Sequence, residues 1–227
     1  MTSAASKIWL TSRDGHRYAA WFGAPSGTPK GGILILHSIF GMTSHLADVC
    51  TRWAAEGYAA IAPALFDRTE GPNVFAYDRP GADAGVAAYD ALTQDQVFAD
   101  IQSAQDHLRP FGRVAISGFC TGGSWAWRAA AAMPFDAQVN FYGSHISQFM
   151  GLQQRCPTLL HYGDHDHIMP LDAVEEIQRQ HPDVDVRIYR DVGHAFFNPD
   201  QATYHADAAA TAWTSSLEFM QRHIAPA

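Results

Sequence analysis

Cys120 stands at the centre of Ser117-Gly118-Phe119-Cys120-Thr121-Gly122-Gly123, a Gly-x-Cys-x-Gly pattern. Just before it runs Arg113-Val114-Ala115-Ile116-Ser117, an apolar stretch of strand length, and Thr121 to Ala132 follows with the character of a helix. A nucleophile raised on a sharp strand-to-helix turn requires this context. Glycines two positions to either side let backbone and helix approach without Cβ clashes. The apex side chain then stands at a helix N-terminus, where unpaired N–H groups favour a developing anion. A thiol so placed ionises more readily than a free cysteine, whose pKa is about 8.5.

Candidate partners follow downstream in the order nucleophile, acid, histidine. The apolar run Pro157-Thr158-Leu159-Leu160-His161-Tyr162-Gly163 leads into Asp164-His165-Asp166-His167, and the strand-like Val186-Arg187-Ile188-Tyr189-Arg190 leads into Asp191-Val192-Gly193-His194. A histidine just past a strand end is placed to reach the turn, take the thiol proton and return a proton during turnover. A carboxylate would hold its tautomer and stabilise the imidazolium, a role for which Asp164 and Asp166 compete. Two aimed N–H donors are needed for the oxyanion, and Thr121 and Ile39 are the candidates. Phe40 and Tyr142 follow strand ends and are candidate pocket walls. The chain has 12 histidines, and His161, His165 and His167 surround two aspartates. His161 falls in a buried strand and the other two diverge in a turn, so no metal and no cofactor is expected.

The elements that must position these residues alternate between strand and helix. Lys7 to Gly23 reads as a hairpin turning at Asp14-Gly15. Ile33-Leu34-Ile35-Leu36-His37 is a continuous apolar run, as a strand buried on both faces requires. Residues 44–55 carry Leu46, Val49, Cys50 and Trp53 at helical spacing, followed by the strand Tyr58 to Phe66. From Asp67 to about Leu92 the pattern breaks down into Gly, Pro, Asp and Tyr, the composition of a long lid or pocket wall. Thr93-Gln94-Asp95-Gln96 is a capping-box signature, opening a helix with Val97, Ile101, Ala104 and Leu108 on one face. Further strands lie at Ala137 to Gly143, Pro157 to Gly163 and Val184 to Arg190, with helices from Pro170 and through Ala209, Trp213, Leu217, Met220 and Ile224. The expected fold is α/β, a mostly parallel sheet flanked by helices on both faces, in one domain over residues 1–227.

Composition narrows the function. The chain of 227 residues is 47% hydrophobic and 17% charged, with a formal net charge of −8. No basic cluster is present, so neither nucleic acid nor an anionic membrane surface is an expected partner. The N-terminus lacks the apolar core of a signal peptide. Three cysteines, Cys50, Cys120 and Cys156, form an odd and widely spaced set. A cytoplasmic setting that keeps a working thiol reduced is expected, with a small-molecule substrate and a monomer or small homo-oligomer. Cys50 and Cys156 read as core residues.

The sequence resembles the dienelactone hydrolase (carboxymethylenebutenolidase) family of α/β-hydrolases. The resemblance runs almost end to end, through Ser12 to Gly27, His37-x-Ile39-Phe40-Gly41, Pro63 to Arg68, Gly118 to Gly123, Gly163 to Pro170 and Gly193 to Phe196. It implies an α/β-hydrolase fold, a triad of Cys120, Asp166 and His194, an oxyanion hole of Ile39 and Thr121, and Arg68 on a substrate carboxylate. Two positions depart from the family pattern: Ser38 stands where a glutamate helps to ionise the thiol, and Asn198 where some members carry a second arginine. A hydroxyl cannot act as a base near neutral pH, so Cys120 is expected to rely on His194 and the helix N-terminus, with Ser38 bonding to substrate or sulfur. The implied activity is cleavage of a small, carboxylate-bearing lactone or ester through an acyl-thioester. A broader carboxylesterase or thioesterase is the alternative, and a non-catalytic binding scaffold a remoter one.

Overall fold

The apolar runs form strands and the amphipathic segments form helices in a computed structural model that describes residues 4–226. The chain divides into two compact units, one comprising residues up to Val114 with those from Pro226, the other Ala115–Ala225. The boundary falls within a strand and not in a linker.

In the first unit, β1 (Ser6–Thr11) and β2 (Arg17–Gly23) make the expected antiparallel hairpin, with Trp9 opposite Ala19. β2 pairs antiparallel with β4 (Ala59–Pro63), which pairs parallel with β3 (Gly32–Leu36). Every residue of β3 and β4 is buried, as strands covered on both faces demand. Helix α1 (Ser44–Ala55) buries Leu46, Val49, Cys50 and Trp53, the stripe that its spacing predicts.

The segment from Asp67 to Leu92 contains more structure than its composition predicts. A one-turn 3-10 helix covers Leu65–Arg68, and α2 covers Arg79–Asp90. Asp78 caps α2 by accepting from the Gly81 N–H at 2.7 Å, and Pro80 stands in the first turn. Glycine obscures this helix in the sequence because its role is close packing: a Cβ on Gly85 would lie 2.0 Å from the Ile39 carbonyl oxygen. Tertiary contact here outweighs a weak local propensity. Helix α3 (Gln94–Leu108) begins with the capping box at Thr93 and Gln96, and buries Val97, Ile101, Ala104 and Leu108.

In the second unit, β5 (Val114–Phe119), β6 (Ala137–Phe141), β7 (Thr158–Gly163) and β8 (Asp185–Tyr189) lie in that order, each parallel to the next. Between them come α4 (Thr121–Ala132) and α5 (Leu171–Gln180), and α6 (Ala206–His223) closes the unit. Trp127, Ile146, Leu160, Tyr162, Met169, Val174 and Ile177 form its buried apolar cluster. Of the stripe predicted for α6, Ala209 and Met220 are fully buried while Trp213 and Leu217 are only half-buried. Among the described residues, no helix is long and apolar enough to cross a membrane.

Candidate active site

At the end of β5 the chain turns on Cys120, with φ 53° and ψ −119°, and enters α4 at Thr121. That backbone is strained for a residue with a Cβ and persists only when its surroundings hold it. Three bonds do so: the Cys120 N–H donates to the Phe141 carbonyl at 3.1 Å, and the Cys120 carbonyl accepts from Gly123 at 2.9 Å and Ser144 at 3.0 Å. The turn is tight enough that a Cβ on Gly118 would meet the Gly122 carbonyl oxygen at 2.2 Å. The glycine requirement read from the motif is therefore a matter of contact distance.

His194 and Asp166 meet in this unit. The His194 Nδ1–H donates to Asp166 Oδ2 at 2.7 Å, and the Asp166 side chain is fully buried. The other carboxylate oxygen, Oδ1, accepts from the backbone N–H groups of Ile168 at 2.8 Å and Met169 at 3.0 Å. Asp164, the competing aspartate, instead accepts from the Val192 N–H at 3.4 Å and so supports the loop that carries His194. The Tyr142 ring packs edge-on against His194, with centroids 5.0 Å apart. His194 Nε2 is buried and engages no partner in hydrogen-bonding geometry, which leaves this nitrogen for the reacting proton.

The electrostatics couple the histidine to the cysteine. Burial opposes a charge on His194, but the Cys120 sulfur and the Asp166 carboxylate outweigh it and push its pKa up to about 10. Burial likewise opposes a Cys120 thiolate, yet the His194 ring, the Ser144 hydroxyl and the Thr121 N–H together pull the thiol below its usual range. The arrangement thus eases transfer of the thiol proton to the imidazole. Ser144 is the residue that sequence reasoning missed: its Oγ lies 3.8 Å from the Cys120 sulfur. The one available signal was its place just past a strand end, where α/β sheets gather their ligand-binding loops.

The remaining predicted residues have engagements of their own. Ser38 Oγ accepts from the Phe40 N–H at 3.3 Å, and the Phe40 ring packs edge-on against Tyr77. Ile39 presents its carbonyl to Gly85 of α2. His37 orders this loop: Nδ1 bonds to the Ser38 carbonyl at 2.7 Å, and Nε2 accepts from the Leu65 N–H at 3.1 Å. Asn198 uses its side-chain oxygen to accept from the Asp200 N–H at 3.0 Å, closing a local turn.

Arg68 is engaged by carboxylates of the protein. Its Nε and Nη2 grip both oxygens of Asp100 at 2.8 and 2.7 Å, and Nη1 reaches Asp14 at 2.8 Å. Its side chain is 6% exposed and that of Asp100 is wholly buried. The carboxylates that this fork holds belong to the protein, because a buried Asp100 needs a matched cation. Beside Arg68 is a cleft of about 590 Å³, lined also by Glu70, Phe75 and alanines of α2.

His161 is buried in β7 between the Tyr189 hydroxyl at 2.9 Å and Ser216 Oγ at 3.0 Å. Among the described residues, no group of three His, Cys, Asp or Glu side chains is placed to hold a metal ion. Cys50 is fully buried, and Cys156 is half-buried with its thiol pushed up to about 11 by burial.

With the geometry in view, comparison with known proteins decides the family. The pattern of the dienelactone hydrolase family matches residues 18–224. The chain belongs to the dienelactone hydrolase family. It is 31% identical to a protein of Escherichia coli strain K12 named "Putative carboxymethylenebutenolidase", over 84% of this chain and 76% of that one. It is 28% identical to the carboxymethylenebutenolidase of Pseudomonas putida, over 94% of each. A crystal structure of a "Putative Dienelactone Hydrolase" from Klebsiella pneumoniae superposes with a TM-score of 0.85 at 27% identity, covering 97% of this chain and all of that one. The protein is accordingly a hydrolase with an α/β-hydrolase fold, built on a mostly parallel set of eight strands.

Proposed function

We propose that this member of the dienelactone hydrolase family cleaves a small lactone or carboxylic ester by covalent catalysis at Cys120. The thiol proton passes to His194 Nε2 and the sulfur attacks the carbonyl carbon, with the Thr121 N–H group receiving the oxyanion. Collapse breaks the C–O bond, and the His194 imidazolium returns its proton to the departing alkoxide, which in a lactone stays tethered. The resulting acyl-thioester is hydrolysed when His194 takes a proton from water, whose oxygen adds to the acyl carbon and releases the acid and the Cys120 sulfur. Asp166 keeps the proton of the neutral ring on Nδ1 and stabilises the imidazolium.

The observation that carries this reading is the pairing of the 2.7 Å His194–Asp166 bond with a cysteine at φ 53° whose thiol is pulled down by that histidine. A second reading, a carboxylesterase or thioesterase of broader specificity, is favoured by Arg68. Its guanidinium is committed to Asp100 and Asp14, so recognition of a substrate carboxylate loses its leading candidate. The test is steady-state kinetics on cis- and trans-dienelactone, p-nitrophenyl esters and thioesters, comparing wild type with Cys120→Ala. Loss of turnover on every ester in Cys120→Ala is expected, and equal turnover would overturn the mechanism. A preference confined to acidic substrates would restore the narrower reading, and comparable rates on neutral esters would establish the broader one.

A further inference from the structure

We propose that Ser144 is a catalytic residue of this hydrolase, whose hydroxyl accepts from the Cys120 thiol in the resting state and donates to the thiolate after the proton has left for His194. The proposal rests on the reading of Cys120 as nucleophile. Its Oγ lies 3.8 Å from the sulfur, within the reach of a sulfur hydrogen bond, and the residue is 1% exposed. Among the described residues that hydroxyl has no other side-chain or backbone partner. A hydroxyl carries one donor as well as its acceptor positions. With the S–H aimed at Oγ, the hydroxyl proton is a buried donor without an acceptor, a costly state for a polar group. Ionisation of the sulfur relieves it. Rotation about the Cβ–Oγ bond turns the O–H onto an anion, and no heavy atom needs to move.

The loop holds Ser144 ready for that exchange. Its N–H donates to the Cys120 carbonyl at 3.0 Å, so the backbones of the two residues are tied directly. The neighbouring Gly143 carbonyl accepts from the Tyr162 hydroxyl at 2.9 Å, and the Tyr142 N–H donates to the His161 carbonyl at 2.7 Å. Tyr142 and His145, on either side, both have positive φ, of 42° and 60°. Non-glycine residues in the left-handed region persist only where surrounding bonds fix them, and fixed donors are what a developing charge requires.

Within this unit the sulfur is faced by the His194 ring with Asp166 behind it, by the Thr121 N–H and by Ser144. Tyr142 packs on His194 at 5.0 Å, and the exposed His167 lies farther out, 6.5 Å from His194 between ring centroids. Ser144 adds a neutral group that serves both protonation states of the sulfur. Ser38 accepts from the Phe40 N–H within its own unit, and the role assigned to Ser144 is separate from the one expected of Ser38.

The test reads the thiol itself, apart from turnover. Iodoacetamide alkylation of the Cys120 peptide, followed by mass across pH, gives the ionisation midpoint of wild type, Ser144→Ala, Ser144→Thr and Ser144→Val. Loss of a hydrogen bond to the anion should raise the midpoint of Ser144→Ala by about one pH unit, roughly tenfold in ionisation constant. kcat/KM for p-nitrophenyl acetate should fall by a similar factor below the midpoint and recover above it. Thr and Val have nearly the same shape, so any steric disturbance is common to both, and only Thr should keep the wild-type midpoint. This pair decides the matter even if Ser144→Ala folds poorly. An unchanged midpoint in Ser144→Ala, or equal midpoints for Thr and Val, would overturn the role of Ser144. Failure of the nucleophile reading is separate: it would appear as undiminished ester turnover in Cys120→Ala.

Discussion

Replacing Asp166 by asparagine tests the reasoning most severely, because the structure dictates how the new amide must sit. Two backbone N–H groups, of Ile168 and Met169, point at one carboxylate oxygen at 2.8 and 3.0 Å. In Asp166→Asn they will claim the amide oxygen, since an NH₂ group there would face two donors. The NH₂ group is then turned towards His194 Nδ1, which must accept from it, and the ring proton moves to Nε2. That is the nitrogen required to take the thiol proton, so the base is blocked. Loss of a hydrogen bond to a charged group costs about 1.5–3 kcal/mol, which is roughly one to two decades in rate at 1.36 kcal/mol per decade. The wrong tautomer adds to this, and the total expected loss is about 10²- to 10⁴-fold in acylation. The assay is the pre-steady-state burst of p-nitrophenol from p-nitrophenyl acetate, with Asp164→Asn as control. Asparagine at 164 retains an oxygen to accept the Val192 N–H at 3.4 Å and should acylate at close to the wild-type rate. An Asp166→Asn burst within about threefold of wild type would refute the assignment of base and acid, since the charge-assisted bond alone predicts more.

Two further outcomes follow from contact distances. Arg68→Met leaves the wholly buried Asp100 without its cation and should cost about 3–5 kcal/mol in urea unfolding, with KM for neutral esters little changed; a raised KM at unchanged stability would return Arg68 to the substrate. Gly118→Ala drives a Cβ to 2.2 Å from the Gly122 carbonyl oxygen, so the elbow must deform, with a loss of about 2 kcal/mol or more; thermal melting checks this, and an unchanged Tm would contradict the tightness of the turn.

What was legible in the sequence was what chain neighbours determine. The elbow could be read because a strand, two spaced glycines and a helix start are contiguous, and α3 because Thr93 and Gln96 cap it within one turn. The order of cysteine, aspartate and histidine could be read because each lies just past a strand, although choosing Asp166 over Asp164 took a family resemblance and not spacing. Illegible features are those whose meaning lies in a distant partner. Gly85 looks like a helix breaker until the Ile39 carbonyl is seen against it, and so α2 was hidden in a segment that read as irregular. Arg68 looks like a free cation until Asp100, 32 residues on and buried inside α3, is found between its nitrogens. Ser144 is one small polar residue after a strand, with nothing local to distinguish it, yet its backbone is bonded to Cys120 and its hydroxyl faces the sulfur. A resemblance carries over the positions that a family pattern records, whereas charge balance around a thiol depends on every group that folding brings to it. Ser144 shows the difference: no family pattern draws attention to it, and the fold brings its hydroxyl to the sulfur.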